Sequence, residues 1–396
     1  MRITNDTLRE TFLAALQSTQ QQLNLTQQQV ATGLRVTKPS DDPLAATRIQ
    51  GLEASVSRLE QFQRNAGLLR NRLGLEESVL AQAGNIVQRA RELAILGNNA
   101  TQSNATRQSI AVELRQGLAQ LIDIANSQDS AGRYLFAGFQ EQTQPFVASS
   151  GGAIYFGDQG QRHLQVGDTR TIADTDSGAA VFQFIKNGNG DIVLSAAGTN
   201  TGTGVLGAGN VVDRTLYVPD NYSITFLTAT DYEVRDGGGT LVASAALNGE
   251  LVAFPGVTVE IAGVPAAGDT FNVVPSSNQD VFTTLNELIN ALEMPVGDPS
   301  SQAILNNRVG QSLPALDQAL AHLIDRRADV GARLHALDDQ EAINTDFSLE
   351  LTRSLSDLRD LDYAEAISRL NQQLFGLEVA QSTFARLQGL SLFRFL

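Results

Sequence analysis

The chain has 396 residues, and 42% of them are hydrophobic, which is enough for two or three domains with buried cores. Its formal net charge of −15 argues against a nucleic-acid partner, because a phosphate backbone binds to a basic surface. The absence of cysteine excludes disulfides, thiolate metal sites and thiol nucleophiles. No run approaches the roughly 20 apolar residues of a membrane span, so we expect no membrane partner. The opening MRITNDTLRE is polar and is not a general secretion signal, whereas a dedicated export route stays open.

The first predicted element is a helix from Thr11 to Leu34 with a heptad seam. This pattern is typical of a helix that pairs with another helix. The stretch carries no charge, and glutamines fill most positions outside the seam. Two interpretations stay open: glutamine-biased low complexity, or a helix packed on several sides within an assembly. The seam positions, alternately four and three residues apart, are Phe12, Leu16, Thr19, Leu23, Thr26, Val30 and Gly33.

Two further helices are predicted in the N-terminal third. Gly33 is expected to end the first helix, and Asp42-Pro43 to begin the second as N-cap and first-turn proline. The second helix is predicted from Ala45 to Leu96, with an apolar stripe broad enough to face more than one neighbour. After a turn, a third helix is predicted from Arg107 to Asn126.

The middle of the chain is predicted to be an all-β insertion. The segment Arg133–Phe146, RYLFAGFQEQTQPF, joins aromatic and turn residues and predicts a hairpin. From Val147 to Val274 short β-branched runs alternate with glycine, and Asn187-Gly188 and Asp236-Gly237 are hairpin-turn signals. Between Glu141 and Asp280 there are 15 acidic and 5 basic residues, which indicates a solvated, outward-facing domain.

Helices are predicted to resume at Asn278. A first one ends at Met294-Pro295, and a second is predicted from Gln302 to Ala342, where Pro314 marks either a kink or the true start. The last predicted element is a helix from Thr345 to Leu390, about 70 Å long if it is unbroken.

This closing helix also carries a seam, although the phase of the pattern slips before Ile367. Because so narrow a seam is rarely stable alone in water, it needs a partner helix in this chain, in neighbouring chains, or in both. The first helix is the simplest partner. The seam consists of Ile367, Leu370, Leu374, Leu377 and Phe384, with Gln381 at the one missed step.

The predicted fold is α+β and multidomain: a long helical coiled-coil rod built from both chain ends, with an all-β domain inserted in the middle. We expect a terminal helical pair (1–40 and 345–396), a helical rod domain (41–146 and 277–344) and the inserted domain (147–276). The residues expected to form an assembly seam are Phe12, Leu16, Leu23, Val30, Ile367, Leu370, Leu374, Leu377 and Phe384.

No pattern in the sequence points to catalysis. His322 and His335 are too far apart to act as paired metal ligands on one helix turn, and the third histidine is isolated. Asp174-x-Asp176 lacks the glycine and distal glutamate of a calcium loop, so a plain turn is the better interpretation. We therefore expect no enzyme, and no catalytic, cofactor-binding or metal site.

The N-terminal block LQSTQQQLNLTQQQVATGLRVTKPSDDPLAATRI, residues 16–49, resembles the N-terminal region of bacterial flagellins. The segment Gln88–Ala94, QRARELA, is similar to the flagellin segment at the same place. RYLFAGFQEQTQPF, the opening MRIT, the prolines Pro39 and Pro43, and the closing QGLSLFRFL resemble the hook–filament junction proteins of the same superfamily. The resemblance covers both helical ends and leaves out the β-insertion.

This resemblance implies a secreted structural protein of the bacterial flagellum at the hook–filament junction, without a cofactor. It implies export in an unfolded state, with a flagellar export chaperone held at the C-terminal region. The implied assembly is a homo-oligomeric ring between the first hook-associated junction protein and flagellin. The two end helices would form the inner tube and be largely disordered before assembly. Two alternatives stay open: a flagellin that forms the filament itself, and a stalked glycan- or surface-binding β-module.

Overall fold

The computed structural model describes the backbone of residues 5–392 and the side chains of residue 7 and residues 9–386. Its helices are α1 (Asn5–Thr32), α2 (Pro43–Gly97), α3 (Asn104–Ala125), α4 (Val281–Glu293), α5 (Pro299–Arg359) and α6 (Tyr363–Leu392). Two compact units result: unit 1 contains the chain up to Arg64 and from Asp339 onward, and unit 2 contains Asn65–Asp338. The helices α2 and α5 contribute residues to both units.

Fourteen strands lie between α3 and α4 in the described chain. They are β1 (Phe146–Ser149), β2 (Gly152–Tyr155), β3 (His163–Gln165), β4 (Thr171–Ala173), β5 (Ile185–Lys186), β6 (Ile192–Ala196), β7 (Val205–Val211), β8 (Tyr222–Phe226), β9 (Asp231–Arg235), β10 (Leu241–Ala246), β11 (Leu251–Phe254), β12 (Val257–Ala262), β13 (Thr270–Pro275) and β14 (Asn278–Gln279). The predicted class, helical ends around a central β region, is confirmed.

In unit 1 the two terminal helices lie antiparallel and in contact. The rings of Phe12 and Phe384 stack with their centroids 5.3 Å apart. At the other end of the pair, Leu34 and Asp360 form an isolated antiparallel bridge. The pairing of the first and last helices is therefore as the two heptad patterns predict.

The predicted start and stop signals near residue 40 are confirmed. Gly33 adopts a left-handed φ of 72° directly after α1, a conformation that glycine adopts without steric cost. The Asp42 Oδ1 atom accepts a hydrogen bond from the Ala45 backbone N–H at 3.0 Å and so caps α2.

The C-terminal run is not one helix from Thr345 to Leu390, as predicted. Helix α5 continues to Arg359, and α6 begins at Tyr363. The break has two causes: Asp362 Oδ1 caps α6 by accepting from Ala364 N at 2.9 Å, and Leu361 N donates to Gly33 O at 2.9 Å. The phase slip before Ile367 was the signal of this break.

Helix α5 also extends beyond the predicted span Gln302–Ala342. It begins at Pro299, where Asp298 Oδ1 accepts from Ser301 N at 2.9 Å. Pro314 lies inside α5 and does not mark its start.

Unit 2 has a first core formed by helices α2 to α5 together with the early β segment. Aromatic rings join the two kinds of structure: Phe146 lies 5.1 Å from Phe282 and 5.6 Å from Phe182, centroid to centroid. Phe146 belongs to β1 and Phe182 to a single π-turn, Ala179–Gln183. The segment 146–186 thus shares its core with the helices.

The hairpin predicted within Arg133–Phe146 is wrong. That segment forms successive turns, with Gly138 at a φ of 69° and only an isolated bridge between Gln128 and Tyr134. The hairpin lies immediately after it, where β1 pairs with β2. The physical reason is that the turn residues of this segment repeat too closely along the chain for a ladder of paired strands to form.

A second core lies between two antiparallel sheets. Their strand orders are β10-β9-β8-β13-β6 and β11-β12-β7, and the buried side chains alternate along the strands. Asp236-Gly237 connects β9 to β10 as predicted. Asn187-Gly188 forms a turn but not a hairpin, because β5 pairs with β14 and β6 pairs with β13.

Candidate functional site

The candidate functional site is the pair of terminal helices in unit 1, where the sequence predicts an assembly seam. On α1 the least exposed side chains follow the predicted steps of four and three residues. Gln29 is an addition to this row: it is buried, and its Nε2 donates to Arg35 O at 2.7 Å. The predicted row members, all buried or half-buried, are Phe12, Leu16, Thr19, Leu23, Thr26 and Val30.

On α6 the buried row differs from the predicted one at every second step. Leu370, Leu377 and Phe384 are half-buried, as the pattern requires. Between them the buried positions are occupied by smaller or polar side chains. Each of these lies one residue before the position that the heptad pattern predicts. These intervening members are Ala366, Gln373 and Ala380, in place of Ile367, Leu374 and Gln381.

This one-residue offset has a geometric reason. Positions three and four residues from Leu370 lie on the same side of a helix with 3.6 residues per turn. The spacing alone therefore does not decide whether Ala366 or Ile367 lies in the buried row. Hydrophobicity favours Ile367, the larger apolar residue, in a prediction from the sequence. In the structure α1 packs close to the side that carries the small residues.

As a result α6 keeps apolar side chains that the described residues cover only in part. Ile367 and Leu374 are 47% and 44% exposed, and Phe375 and Val379 are 69% and 46% exposed. Ile367 and Leu374 flank the buried row, and Phe375 and Val379 lie farther round the helix. We call these four residues the open surface of α6. Exposed apolar residues concentrated on one helix mark an interaction site.

In unit 1, the two short connections between helices are joined to each other by hydrogen bonds. Arg35 N donates to Arg359 O at 2.7 Å, and the Arg35 Nη2 atom donates to Leu358 O at 2.6 Å. A Cβ atom added at Gly33 would lie 2.7 Å from the Tyr363 Oη atom. The α1–α2 connection and the α5–α6 connection therefore form one joint, which we call the terminal joint.

Aspartates fix the local geometry of the terminal joint. A hydrogen bond from the Thr37 hydroxyl, with backbone donors from Lys38 and Thr37, lowers the pKa of Asp41. A hydrogen bond from the Ser356 hydroxyl likewise lowers the pKa of Asp360. Both carboxylates are ionised at neutral pH: Asp41 binds the backbone of the turn at Thr37 and Lys38, and Asp360 binds the side chains of Ser356 and Arg359. The joint offers structural contacts and no arrangement of nucleophile and base.

One feature of the seam carried no sequence signal. The Oε1 atom of Gln373 is buried in unit 1 and has no hydrogen-bond partner among the described residues. A polar side chain at a seam position of a helix pair selects register and partner number in coiled coils.

Among the described residues, no helix combines the length and the apolar character that crossing a bilayer requires. Two family models match the chain: the bacterial flagellin N-terminal helical region over residues 3–141, and the bacterial flagellin C-terminal helical region over residues 313–396. These two matches include every predicted seam residue.

Relatives align with the chain over most of its length. The flagellar hook-associated protein 3 of Salmonella typhimurium is 25% identical over 395 residues, which cover 100% of this chain and 99% of the relative. The crystal structure of Xanthomonas campestris FlgL is 35% identical with a TM-score of 0.74, covering 77% of this chain and 99% of that one. The flagellar junction protein FlgL of Legionella pneumophila is 32% identical with a TM-score of 0.72, covering 79% and 100%.

The family models match the helical ends of the chain, and the solved FlgL structures share its fold, including the central antiparallel β region. Identity above 30% to solved FlgL chains, over nearly their whole length, is a family relationship and not only a shared fold. The chain belongs to the FlgL family of flagellar junction proteins, also called hook-associated protein 3, within the flagellin superfamily.

Proposed function

We propose that this chain forms the adapter ring that joins the hook side of the flagellum to the flagellin filament. The observation that carries the proposal is the open surface of α6 in a chain of the FlgL family. Ile367, Leu374, Phe375 and Val379 are apolar, exposed and on a terminal helix. Neighbouring terminal helices would cover them, and this removes apolar area from water.

We assign a structural role in the ring to each of the three parts into which the sequence divides the chain. The terminal pair, 1–40 and 345–396, forms the inner contacts of the ring and carries the nine seam residues. The second part is the helical rod domain, 41–146 and 277–344. Of the inserted domain, 147–276, the segment up to residue 186 shares the helical core, so the proposed solvent-facing part is the two-sheet segment from β6 to β13. The excess of acidic residues between Glu141 and Asp280 supports this outward placement, since a solvated surface tolerates net charge.

The proposed partners are other copies of this chain, the first hook-associated junction protein, flagellin and, before export, a flagellar chaperone at the C-terminal region. The role is structural and involves no catalysis. The uncharged stretch from Thr11 to Leu34, which includes most of α1, supports packing between helices, because amide groups avoid the cost of desolvating charges.

Electron microscopy of a strain that lacks this gene tests the proposal. We expect hooks without filaments, and flagellin monomers in the culture medium. Normal filaments on the deletion strain would contradict the proposal. Long homopolymers formed by the purified chain alone would instead support a flagellin.

Complementation of that strain with a variant of the open surface tests the site itself. Leu374→Asp places a charge where the proposed neighbour helix packs, so we expect at least a tenfold loss of cells with filaments. The fold of the isolated chain should be unchanged, because Leu374 is 44% exposed. The matched control is Leu216→Asp, a change of the same chemistry at a leucine of unit 2 that is 57% exposed. Full filament formation by the Leu374 variant would remove the open surface from the assembly.

A further inference from the structure

Unit 2 contains a buried cluster of ionisable side chains that the proposed function does not use. Two carboxylates, Glu76 on α2 and Asp176 after β4, lie together with Arg333 of α5. Glu76 is 0% exposed and Asp176 is 4% exposed. So complete a burial of two carboxylates requires that each charge be matched and each polar atom bonded.

The hydrogen bonds of this cluster leave some of its buried polar atoms unbonded. Glu76 Oε1 accepts from the Asp176 backbone N–H at 2.9 Å. Asp176 Oδ1 accepts from Arg333 Nη2 and from Gln161 Nε2, both at 2.7 Å. Glu76 Oε2 and Asp176 Oδ2 are buried and have no partner among the described residues. Arg333 Nη1, a donor, is also buried without a partner among the described residues. Because the cluster holds two carboxyl groups and one guanidinium, it lacks one positive charge, and a proton shared by the carboxyl groups supplies it.

The charges around the cluster lead to the same requirement. Next to it, three arginines are matched by three carboxylates, and Arg333 is matched by Asp176 at 2.7 Å. In the described part of unit 2, no cation forms an ion pair with Glu76 within 4.0 Å. The matched set is Arg72, Arg133 and Arg162 with Asp129, Glu141 and Asp174.

We propose that Glu76 is protonated at neutral pH and donates a hydrogen bond from Oε2 to Asp176 Oδ2. The two carboxyl groups then share one proton, which attaches residues 174–178 to α2 and, through Arg333, to α5. Loss of the proton in alkaline solution places two like charges together, and this attachment weakens.

The electrostatic surroundings agree with this assignment. Burial, and next the charge of Asp176, raise the pKa of Glu76 to about 8, and Asp174 acts in the same direction. The backbone N–H of Asp176 and the charge of Arg333 act in the opposite direction and do not compensate. Glu76, Asp176 and Arg333 all belong to unit 2, and none of them takes part in the proposed role in the flagellum.

The sign of the pH dependence follows from proton linkage. The folded chain holds a proton on Glu76 that the unfolded chain releases above its ordinary pKa of 4.5. Raising the pH from there to about 8 therefore favours unfolding, and the unfolding equilibrium constant rises about tenfold per pH unit from this group. Above that value the contribution stays constant.

Urea unfolding of the full chain between pH 5.5 and 9.5 tests the proposal. Tyrosine near-ultraviolet circular dichroism reports on unit 2, and the pKa of Tyr155, raised to about 12 by burial, keeps that residue un-ionised throughout. Glu76→Gln keeps a neutral donor at every pH, so we expect it to lose the tenfold-per-unit term that the wild type shows below pH 8. The matched control, Glu250→Gln at an exposed glutamate of unit 2, should keep the wild-type slope. Identical slopes for the Glu76 variant and the wild type would overturn the proposal.

Infrared spectroscopy of the wild-type chain decides the question even if the Glu76 variant does not fold. Exposed carboxylates are ionised at pH 7, so a protonated carboxylic acid band at that pH reports on Glu76. We expect this band to be present at pH 7 and to disappear above about pH 9, one unit beyond the raised pKa of Glu76. Its absence at pH 7 would mean that both carboxylates are ionised, which overturns the shared proton.

Discussion

At the scale of single residues, the backbone conformation at Gly152 determines how the β1–β2 hairpin packs against α4. This residue begins β2 with a φ of 133°, and a Cβ atom there would lie 2.8 Å from the backbone of Phe282 and Thr283 in α4. Both the conformation and the close approach exclude a larger residue. The β1–β2 hairpin can pack against α4 only because this position has no side chain.

We predict that Gly152→Ala destabilises unit 2 by about 1–3 kcal/mol, the usual cost of a strained backbone position. Urea unfolding measures the change. Gly151→Ala is the matched control, because its Cβ atom meets no atom within 4 Å, and it should change stability by less than about 0.5 kcal/mol. Equal effects of the two substitutions would show that the hairpin does not approach α4 as described.

The buried charges of unit 2 show where sequence interpretation ends at this scale. Arg72 is 6% exposed, yet it contacts Asp129, Glu141 and Asp174, which lie 57 to 102 positions away in the chain. Residues so far apart in the chain follow no helix or strand period, so the sequence gives no signal that they are in contact. From the sequence, Asp174-x-Asp176 suggested only a turn or a weak calcium-loop resemblance, whereas in the structure its carboxylates bind arginines.

At the scale of elements, helix periodicity was sufficient for most of the helical part. The apolar stripes and breakers place the ends of α2, α3 and α4 to within three residues, and the predicted row on α1 is the observed one. The predicted start of α4 at Asn278 is wrong, because Asn278 and Gln279 form β14 and α4 begins at Val281. The row on α6 was offset because Ala366 and Gln373 compete with Ile367 and Leu374 at equivalent helical positions. Periodicity identifies an apolar side of a helix, and the partner decides which flank is buried.

Glycines inside α2 provide a test of its continuity. Gly74 lies within the helix, is exposed, and has no atom within 4 Å of a built Cβ, so Gly74→Ala should stabilise unit 2 by about 1 kcal/mol. Gly239→Ala is the matched change, since its Cβ also meets nothing, but its φ is 80° in the β9–β10 turn. We expect it to destabilise by about 1–2 kcal/mol, the left-handed penalty. Urea midpoints that move in the same direction for both variants would contradict a continuous α2.

At the scale of the whole molecule, the chain combines a unit with two buried cores and a unit whose last helix leaves apolar side chains exposed. Unit 2 has two buried apolar clusters, one helical and one between β-sheets. In unit 1 the terminal helices contact each other along one narrow row, and the open surface of α6 faces solvent. The alternation of helices, strands and helices was predictable from the sequence. The sharing of the helical core by residues 146–186 was not, because it depends on contacts between distant aromatic residues.

The central claim is that the terminal helices are completed only by neighbouring copies and relatives. Native-state hydrogen exchange of the isolated full chain tests it most directly. We predict that amides of α1 and α6 exchange with opening free energies of about 0–2 kcal/mol, typical of fraying segments, while the cores of unit 2 are protected up to global unfolding. Protection of α1 and α6 in the monomer equal to that of the unit 2 cores would contradict the account.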